Sequence, residues 1–316
     1  MLSWMSSNRQ RILQIGGTLL AIVLLVLLLK DGGWDEILSA MRMIRGIDLF
    51  WAALLFLISR IAVTYRWHIL LRSGGIDIKL KDSMLLTFTG LFATNFLPTT
   101  VGGDVLRLAG AMQMGYDRAV CLASIAADRL IGMLGMIMTA PIGLVYAWNV
   151  IPGVSTSLSF VGILKKPWDY ARSTFTKLWR FGWRTLGTFS IWMKKPGSLF
   201  LSLVFTWVHM VCLFGSIYLF LNDLGTHVSF WMIAGLWSLT YFITLIPISI
   251  NGYGLQELSF TYLFSTVAGV TPALSLTVSV LIRAYFIISS LPGAFFLPSA
   301  LAAITEKQKS STNTVV

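Results

Sequence analysis

The chain contains, from residue 119 to residue 150, the run AVCLASIAADRLIGMLGMIMTAPIGLVYAWNV, whose only charged residues are the neighbours Asp128 and Arg129. A helix needs about 20 mainly apolar residues to cross a bilayer, so this run is long enough for one crossing. Further apolar runs occupy residues 12–29, 49–71, 84–97, 199–221, 230–246, 258–268 and 273–297. The pattern predicts an all-α polytopic membrane protein with about eight transmembrane helices.

The composition excludes a water-soluble enzyme. Of the 316 residues, 56% are hydrophobic and 12% are charged, whereas a soluble domain has about 45–50% apolar and about 25% charged residues. The excess of 24 Lys and Arg over 13 Asp and Glu indicates cytoplasmic loops beside anionic headgroups and not nucleic acid. The two cysteines and three scattered histidines lack disulfide or metal-ligand spacing, so we expect no metal and no cofactor.

The distribution of basic residues predicts the orientation in the membrane. The interval 149–197 carries eight Lys and Arg and one acid. We expect 165–197 to form an amphipathic helix in the cytoplasmic headgroup layer, the alternative being a solvated basic loop. This puts both termini in the cytoplasm and the chain in the cell (inner or plasma) membrane. Residues 1–305 are expected to form a single transmembrane domain, and 306–316 a disordered tail.

Two stretches of the chain share a spacing that indicates an internal repeat. In both, a glycine follows a proline by five residues, an alanine follows a second glycine by four, and an arginine follows that alanine by ten. These positions are Pro98, Gly103, Gly115, Ala119 and Arg129 in the first stretch and Pro247, Gly252, Gly269, Ala273 and Arg283 in the second. We expect repeat units of about 84–148 and 230–297, inverted relative to each other under the eight-crossing topology.

The short runs within these units are candidate re-entrant or broken segments. Runs 84–97 and 258–268 are too short to cross a bilayer comfortably. Paired, glycine- and proline-interrupted segments at matching places in two halves point to a transporter's binding site, because their backbone groups must be buried in protein or line a polar cavity. The backbone breaks are predicted at Pro98, Gly102, Gly103, Pro247 and Gly252.

Arginines inside the apolar runs and breaks form a candidate anion site. Guanidinium groups bind phosphate bidentately and stay charged when buried, so three of them facing one cavity would hold an anionic headgroup. The candidates are Arg129 and Arg283, together with Arg107 or Arg60. We expect Arg66 instead to extend to the membrane interface.

Three carboxylates accompany these arginines: Asp104, Asp128 and Glu257. Charged residues are rare within a membrane and are functional candidates by default. The carboxylates would balance charge or couple protons at the anion site. The alternative is that they neutralise the arginines in buried pairs that fix helix packing.

The residues around the two breaks resemble the signatures of a known family. The first comprises FLPTTVGGD at 96–104, Arg107, Ala123-Ser124, Asp128-Arg129 and Gly132, and the second comprises PISING at 247–252, Glu257, Arg283 and Gly293. Together they resemble the flippase-like integral membrane family of the lysylphosphatidylglycerol synthase transmembrane region, over about residues 10–300. The resemblance implies re-entrant segments from both sides of the membrane and substrate-binding roles for Asn251 and Glu257.

The resemblance also implies a function. Family members move a lipid, often with a modified or sugar-bearing headgroup, between leaflets. This chain is similar to stand-alone members without the aminoacyl-transferase domain, so lipid aminoacylation is not expected. We therefore expect a flippase that moves an anionic or lipid-linked substrate of the phospholipid or polyprenyl-phosphate type, by alternating access between the two repeats.

Two other functions fit the sequence less well. A membrane-embedded lipid-phosphate transferase would need a nucleophile, base or metal cluster, and only Asp104 with Glu257 could supply metal ligands, if the breaks meet. An accessory membrane subunit of a lipid-modifying or glycosyltransferase system needs no site of its own. Since no transferase or P-loop motif occurs, we expect no enzyme activity. The expected partners are membrane lipids, a lipid-modifying enzyme, and a second copy of the chain.

Overall fold

The computed structural model describes residues 33–96, 102–148, 150, 192, 195–246 and 249–295. Within these ranges the chain forms nine α-helices: α1 (Gly33–Met43), α2 (Gly46–Ser73), α3 (Leu80–Phe96), α4 (Gly102–Gln113), α5 (Arg118–Trp148), α6 (Pro196–Asp223), α7 (Phe230–Thr244), α8 (Leu255–Ala268) and α9 (Pro272–Ser290). Two short 3-10 turns are formed by Ile250–Gly252 and Leu291–Phe295. The described residues contain no strand, and the predicted all-α fold is confirmed.

Four of these helices are long and apolar enough to cross a membrane. They are α2, α5, α6, and α9 with the turn that follows it, Pro272–Phe295. Helix α7 is apolar but shorter, at 15 residues. The chain is therefore a multi-pass membrane protein. The predicted crossing at 12–29, the tail 306–316 and most of the basic segment 165–197 lie outside the described residues, so the total of eight crossings stays a prediction.

The described residues group into two compact units. The N-motif unit, named for the first signature, comprises the described residues within 56–96, 102–135, 195–212 and 285–295, together with residue 192. The C-motif unit, named for the second, comprises those within 33–55, 136–148, 213–246 and 249–284, together with residue 150. Each of the four long helices contributes residues to both units.

In the N-motif unit, α3 packs against α4 in a helical hairpin at two glycines. A Cβ atom on Gly103 would clash with Thr94 Oγ1 and the carbonyl oxygen of Gly90. The turn Leu291–Phe295 packs on the other side of α3, where a Cβ on Gly293 would clash with the carbonyl oxygen of Phe88. Small residues that let backbones approach closely are typical of helix packing in membranes.

The C-motif unit has a second short-helix hairpin, α7 with α8. Helix α7 also approaches α5, since a Cβ on Gly143 would clash with the carbonyl oxygen of Gly235. Nearby, Thr139 and Ser238 share a hydrogen bond of 2.6 Å. Interhelical hydroxyl contacts of this kind stabilise helix pairs in an apolar medium by about 1 kcal/mol.

The two predicted repeat stretches have the same order of elements. In each, a short helix is followed by a second short helix, a left-handed glycine and a long helix: α3, α4 and α5 in the first stretch and α7, α8 and α9 in the second. The left-handed glycines are Gly115 (φ 85°) and Gly269 (φ 69°), and the arginine of each stretch lies on the long helix. The inverted relation of the two stretches stays a prediction.

The equal proline-to-glycine spacing, however, pairs Gly103 with Gly252, and these two glycines do not lie at equivalent positions of the two stretches. Gly103 is the second residue of α4, whereas Gly252 lies in the break three residues before α8 begins at Leu255. The break of the second stretch holds the additional residues, with positive φ angles at Asn251, Gly252 and Gly254 of 49°, 73° and 76°. Pro98 and Pro247 lie outside the described residues.

Candidate functional site

An arginine and a carboxylate occupy matching positions in the two predicted repeat stretches. Asp104 is the third residue of α4 and Arg129 the twelfth of α5, and Arg129 Nε donates to Asp104 Oδ2 at 2.8 Å. Glu257 is the third residue of α8 and Arg283 the twelfth of α9, and Arg283 Nε donates to Glu257 Oε1 at 2.7 Å. In both, the carboxylate lies in the first helical turn, where the helix dipole favours negative charge.

In the N-motif unit, Asp128 is the buried centre of a larger ion-pair network. Its Oδ1 accepts a hydrogen bond of 2.6 Å from Arg66 Nε, and its Oδ2 accepts bonds of 3.2 and 3.3 Å from Arg107 Nη1 and Nη2. The Asp128 side chain is only 3% exposed. Two guanidinium groups therefore compensate one carboxylate that an apolar interior could not otherwise hold.

Arg107 joins this centre to the pair at Asp104. Its Nη1 also donates to Asp104 Oδ1 at 3.2 Å, and its guanidinium carbon lies 4.0 Å from the centre of the Trp67 ring. Gly90 leaves room for the arginine, since a Cβ there would come within 2.6 Å of Arg107 Cγ. The cation–π contact and the two carboxylates hold Arg107 in a fixed orientation.

Arg66 corrects a prediction from the sequence. It was expected to extend to the membrane interface, but its side chain is 9% exposed and bound to Asp128. Its Nη1 also donates to Thr206 Oγ1 on α6 at 3.3 Å. The guanidinium lies against Gly132, where a Cβ would be 3.2 Å from Nη1. The sequence contained one signal for this contact. Gly132 lies one helical turn after Asp128 and leaves space on that face of α5 for a large side chain such as that of Arg66.

Among the residues that the structure describes, the network carries more positive than negative charge. It contains three guanidinium groups, of Arg66, Arg107 and Arg129, and two carboxylates, of Asp104 and Asp128. Arg66 and Arg107 are buried, whereas the Arg129 side chain is 45% exposed. The excess positive charge can therefore be approached from outside the protein at Arg129.

In the C-motif unit, the pair of Arg283 and Glu257 is neutral and closed. The Arg283 side chain is 13% exposed, and its guanidinium carbon lies 4.6 Å from the centre of the Tyr253 ring. Glu257 Oε2 accepts a hydrogen bond of 2.8 Å from the backbone N–H of Gly254, at the start of α8. The carboxylate thus caps α8 and binds α9 at the same time.

Asn251 and Arg60 are the remaining residues that the sequence predicted to bind the anionic substrate. Asn251 lies half-buried in the break that precedes α8, with a positive φ of 49°. Arg60 is buried in the middle of α2, where its Nε donates to Ser289 Oγ at 3.0 Å and its guanidinium carbon lies 4.8 Å from the Phe286 ring centre. In the part of the chain that the structure describes, no carboxylate lies within 4.0 Å of Arg60.

The structure thus brings Asp104, Arg107, Asp128 and Arg129 together in one unit, and Glu257 and Arg283 together in the other. Gly102 and Gly103 begin α4 next to the first group, and Gly252 lies beside the second, its carbonyl oxygen 3.4 Å from Arg283 Nη2. Sequence reasoning did not include Arg66, Trp67 and Thr206, which contact the first group from α2 and α6. That Arg129 and Arg283 face one cavity stays a prediction.

We expect Gly103→Ala to distort the N-motif site. The added methyl group would clash with backbone and side chain atoms of α3, so α4 must shift and carry Asp104 and Arg107 with it. Overpacking of this kind costs about 1–3 kcal/mol of unfolding free energy, measurable by SDS titration in mixed micelles. The control is Gly197→Ala in the first turn of α6, where no atom of the described residues lies within 4 Å of the added Cβ. Equal stability of the two variants would contradict the prediction.

Comparison with models of known protein families identifies a family for this chain. The family model described as the lysylphosphatidylglycerol synthase TM region matches residues 14–293, a range that includes both hairpins and both ion-pair groups. No curated protein matches the chain. Among the described residues, no group of three or more His, Cys, Asp or Glu side chains is placed to hold a metal ion.

Proposed function

Since the chain belongs to the lysylphosphatidylglycerol synthase TM-region family, we propose that it is a lipid flippase that moves an anionic or lipid-linked substrate between the leaflets of the cell membrane. The substrate is a phospholipid or a polyprenyl phosphate, the chain itself catalyses no covalent reaction, and its termini lie in the cytoplasm. The family establishes a lipid-related membrane protein, and the geometry of the N-motif unit supports the more specific assignment.

The exposed Arg129, at the end of a network with excess positive charge, is the observation that carries this proposal. A phosphodiester headgroup bears one negative charge, which equals the excess of three guanidinium groups over two carboxylates among the described residues of the network. Binding there would leave the buried pairs of Asp128 undisturbed. Guanidinium binds phosphate through charge-assisted hydrogen bonds, each contributing about 1.5–3 kcal/mol.

The surroundings of Arg129 suit a lipid rather than a soluble anion. The side chains of Leu122, Leu130 and Leu134 on the same helix are exposed on the protein surface. Within a membrane-spanning helix such positions contact hydrocarbon. A lipid whose phosphate binds Arg129 can therefore keep its chains in the bilayer.

The remaining predicted residues receive secondary roles in this proposal. Asp104 and Asp128 balance the charge of the arginines and keep them oriented. Arg283 and Asn251 contact the substrate at the second motif, with Glu257 as the counter-charge of Arg283. Arg60, which contacts no carboxylate in the described ranges, is a further cation for the headgroup.

The test is transport in proteoliposomes that contain the full chain and a fluorescent lipid. Phosphatidylglycerol, a polyprenyl phosphate and phosphatidylcholine are compared, and dithionite reports the lipid that reaches the outer leaflet. We expect faster movement of one anionic lipid than of phosphatidylcholine. Loss of the Arg129 contact in Arg129→Ala should slow it about tenfold, the equivalent of 1.4 kcal/mol.

Matched variants separate this result from a loss of folding or of surface charge. Arg118→Ala removes one exposed arginine from the start of the same helix and should leave the rate unchanged, while Arg129→Lys should retain part of it. Thermal unfolding in detergent checks that each variant is folded. A wild-type protein that moves no lipid faster than protein-free vesicles would reject the flippase and favour the accessory subunit.

A further inference from the structure

A groove opens in the N-motif unit where α2 ends and α6 begins. Its volume is about 640 Å³. The lining residues come from the last turns of α2, the first turns of α6, and Lys195, which immediately precedes α6. Both helices are long and apolar enough to cross a membrane, so we place the groove, at their ends, near the boundary between the hydrocarbon and the headgroups. None of its residues belongs to the ion-pair network around Asp128.

The deeper part of the groove is apolar and aromatic. The rings of Tyr65 and Phe205 stack with their centres 5.4 Å apart and their planes 9° apart. Ile69 and Leu201 also line the groove, each one helical turn closer to the basic residues than these rings. Tyr65 lies seven residues before Arg72 on α2, which corresponds to about 10 Å along the helix. The groove therefore extends into the span well below the basic residues at its mouth.

The mouth of the groove is basic. Lys195 Nζ is positioned by a hydrogen bond of 2.9 Å to the carbonyl oxygen of Ser73, the last residue of α2. The Arg72 side chain is 60% exposed, and its nearest acid, Asp77, lies 3.4 Å away and is 96% exposed. An ion pair in that setting contributes little. Among the described residues, none that lines the groove is acidic, so the groove carries two cations that a ligand could neutralise.

We propose that this groove binds one anionic phospholipid, with the phosphate between Arg72 and Lys195 and an acyl chain along Leu201, Tyr65 and Phe205. An apolar floor in the span below a basic mouth matches the two parts of a phospholipid in charge and polarity. A soluble anion would satisfy the cations and leave the apolar part unused. This resident lipid site is separate from the transport proposed at Arg129 and does not depend on it.

The test counts bound lipids by native mass spectrometry on the full chain in detergent, titrated with phosphatidylglycerol or phosphatidylcholine. We expect preferential binding of phosphatidylglycerol by the wild type. The double variant Arg72→Ala/Lys195→Ala removes both cations of the groove and should weaken phosphatidylglycerol binding about tenfold or more. The matched control, Lys79→Ala/Lys81→Ala, removes the same charge from two exposed lysines that do not line the groove, and should bind as the wild type does.

Further variants and a competition experiment test the same proposal. Arg72→Ala alone removes a side chain with only a weak partner, so it should fold normally and still lose part of the preference. In the proteoliposome assay, Arg72→Ala/Lys195→Ala should move lipid at the wild-type rate, which distinguishes this site from the transport site. Equal losses in the groove variant and the lysine control would overturn the proposal, as would no loss in either. Displacement of the lipid by millimolar glycerol 3-phosphate would also overturn it, because that result defines an anion site without a lipid chain.

Discussion

Asp128→Asn is expected to lower the free energy of unfolding by about 3–5 kcal/mol, the cost of leaving a buried charge without its partner. Asp128 accepts hydrogen bonds from Arg66 on one oxygen and Arg107 on the other. Without its charge, the described part of the network has one carboxylate, Asp104, for three guanidinium groups. The amide can accept at one oxygen alone, so one of the two arginines also loses a hydrogen bond.

SDS titration of the purified protein in mixed micelles would measure the loss. The control is Asp77→Asn, which removes the charge of an exposed carboxylate whose arginine is 3.4 Å away, and should cost less than about 1 kcal/mol. The double variant Arg66→Met/Asp128→Asn restores the wild-type charge excess and should recover much of the stability. If Asp128→Asn costs no more than Asp77→Asn, Asp128 is not the electrostatic centre of the N-motif unit.

The sequence could predict the membrane class, the long spans and the short broken segments, because these depend on local hydrophobicity and length. The runs at 49–71, 199–221 and 273–297 correspond to α2, α6 and α9 within a few residues. The run at 84–97 corresponds to α3, which pairs with a second short helix from the glycine-rich stretch that follows. That stretch reads as polar because it carries Asp104 and Arg107, yet both side chains bind partners in the same unit.

The sequence could not predict which arginine pairs with which carboxylate in the site, because the pairing depends on helix geometry. Asp128 and Arg129 are neighbours in sequence, which suggests a pair, but successive residues of a helix do not face each other. Asp128 instead faces Arg66 and Arg107, and Arg129 faces Asp104. Contacts across 62 and 21 residues follow from tertiary packing, and a single sequence contains no signal for them beyond small neighbours such as Gly132.

The two predicted repeat stretches show that equal spacing in the sequence can match residues that are not structurally equivalent. Equal proline-to-glycine distances matched Gly103 with Gly252, but the equivalent feature is the ion pair between the third residue of the second short helix and the twelfth of the long helix. A break tolerates inserted residues at small energetic cost, whereas the distance from a helix start to a paired side chain is fixed by helix geometry. Positions counted from helix starts are therefore the better guide to equivalence.

The second large effect is expected for Glu257→Leu, at about 3–5 kcal/mol of unfolding free energy. This change leaves the mostly buried Arg283 without its carboxylate and removes the acceptor of the Gly254 N–H. Arg283→Met should also destabilise, because it leaves the carboxylate of Glu257 without its cation. The double variant removes both charges from an apolar setting and should be close to the wild type, or more stable.

A double-mutant cycle on these variants measures whether the pair acts as a unit, and we expect a coupling energy above about 2 kcal/mol. The exposed pair of Arg72 and Asp77 provides the comparison cycle, with a coupling below about 1 kcal/mol. Additive losses at Glu257 and Arg283 would show that the two side chains are energetically independent. Transport by the stable double variant then separates the two roles of Arg283. Loss of lipid movement in a folded protein requires contact with the substrate, whereas unchanged movement assigns the pair to holding α8 against α9 and leaves Arg129 as the arginine that binds the headgroup.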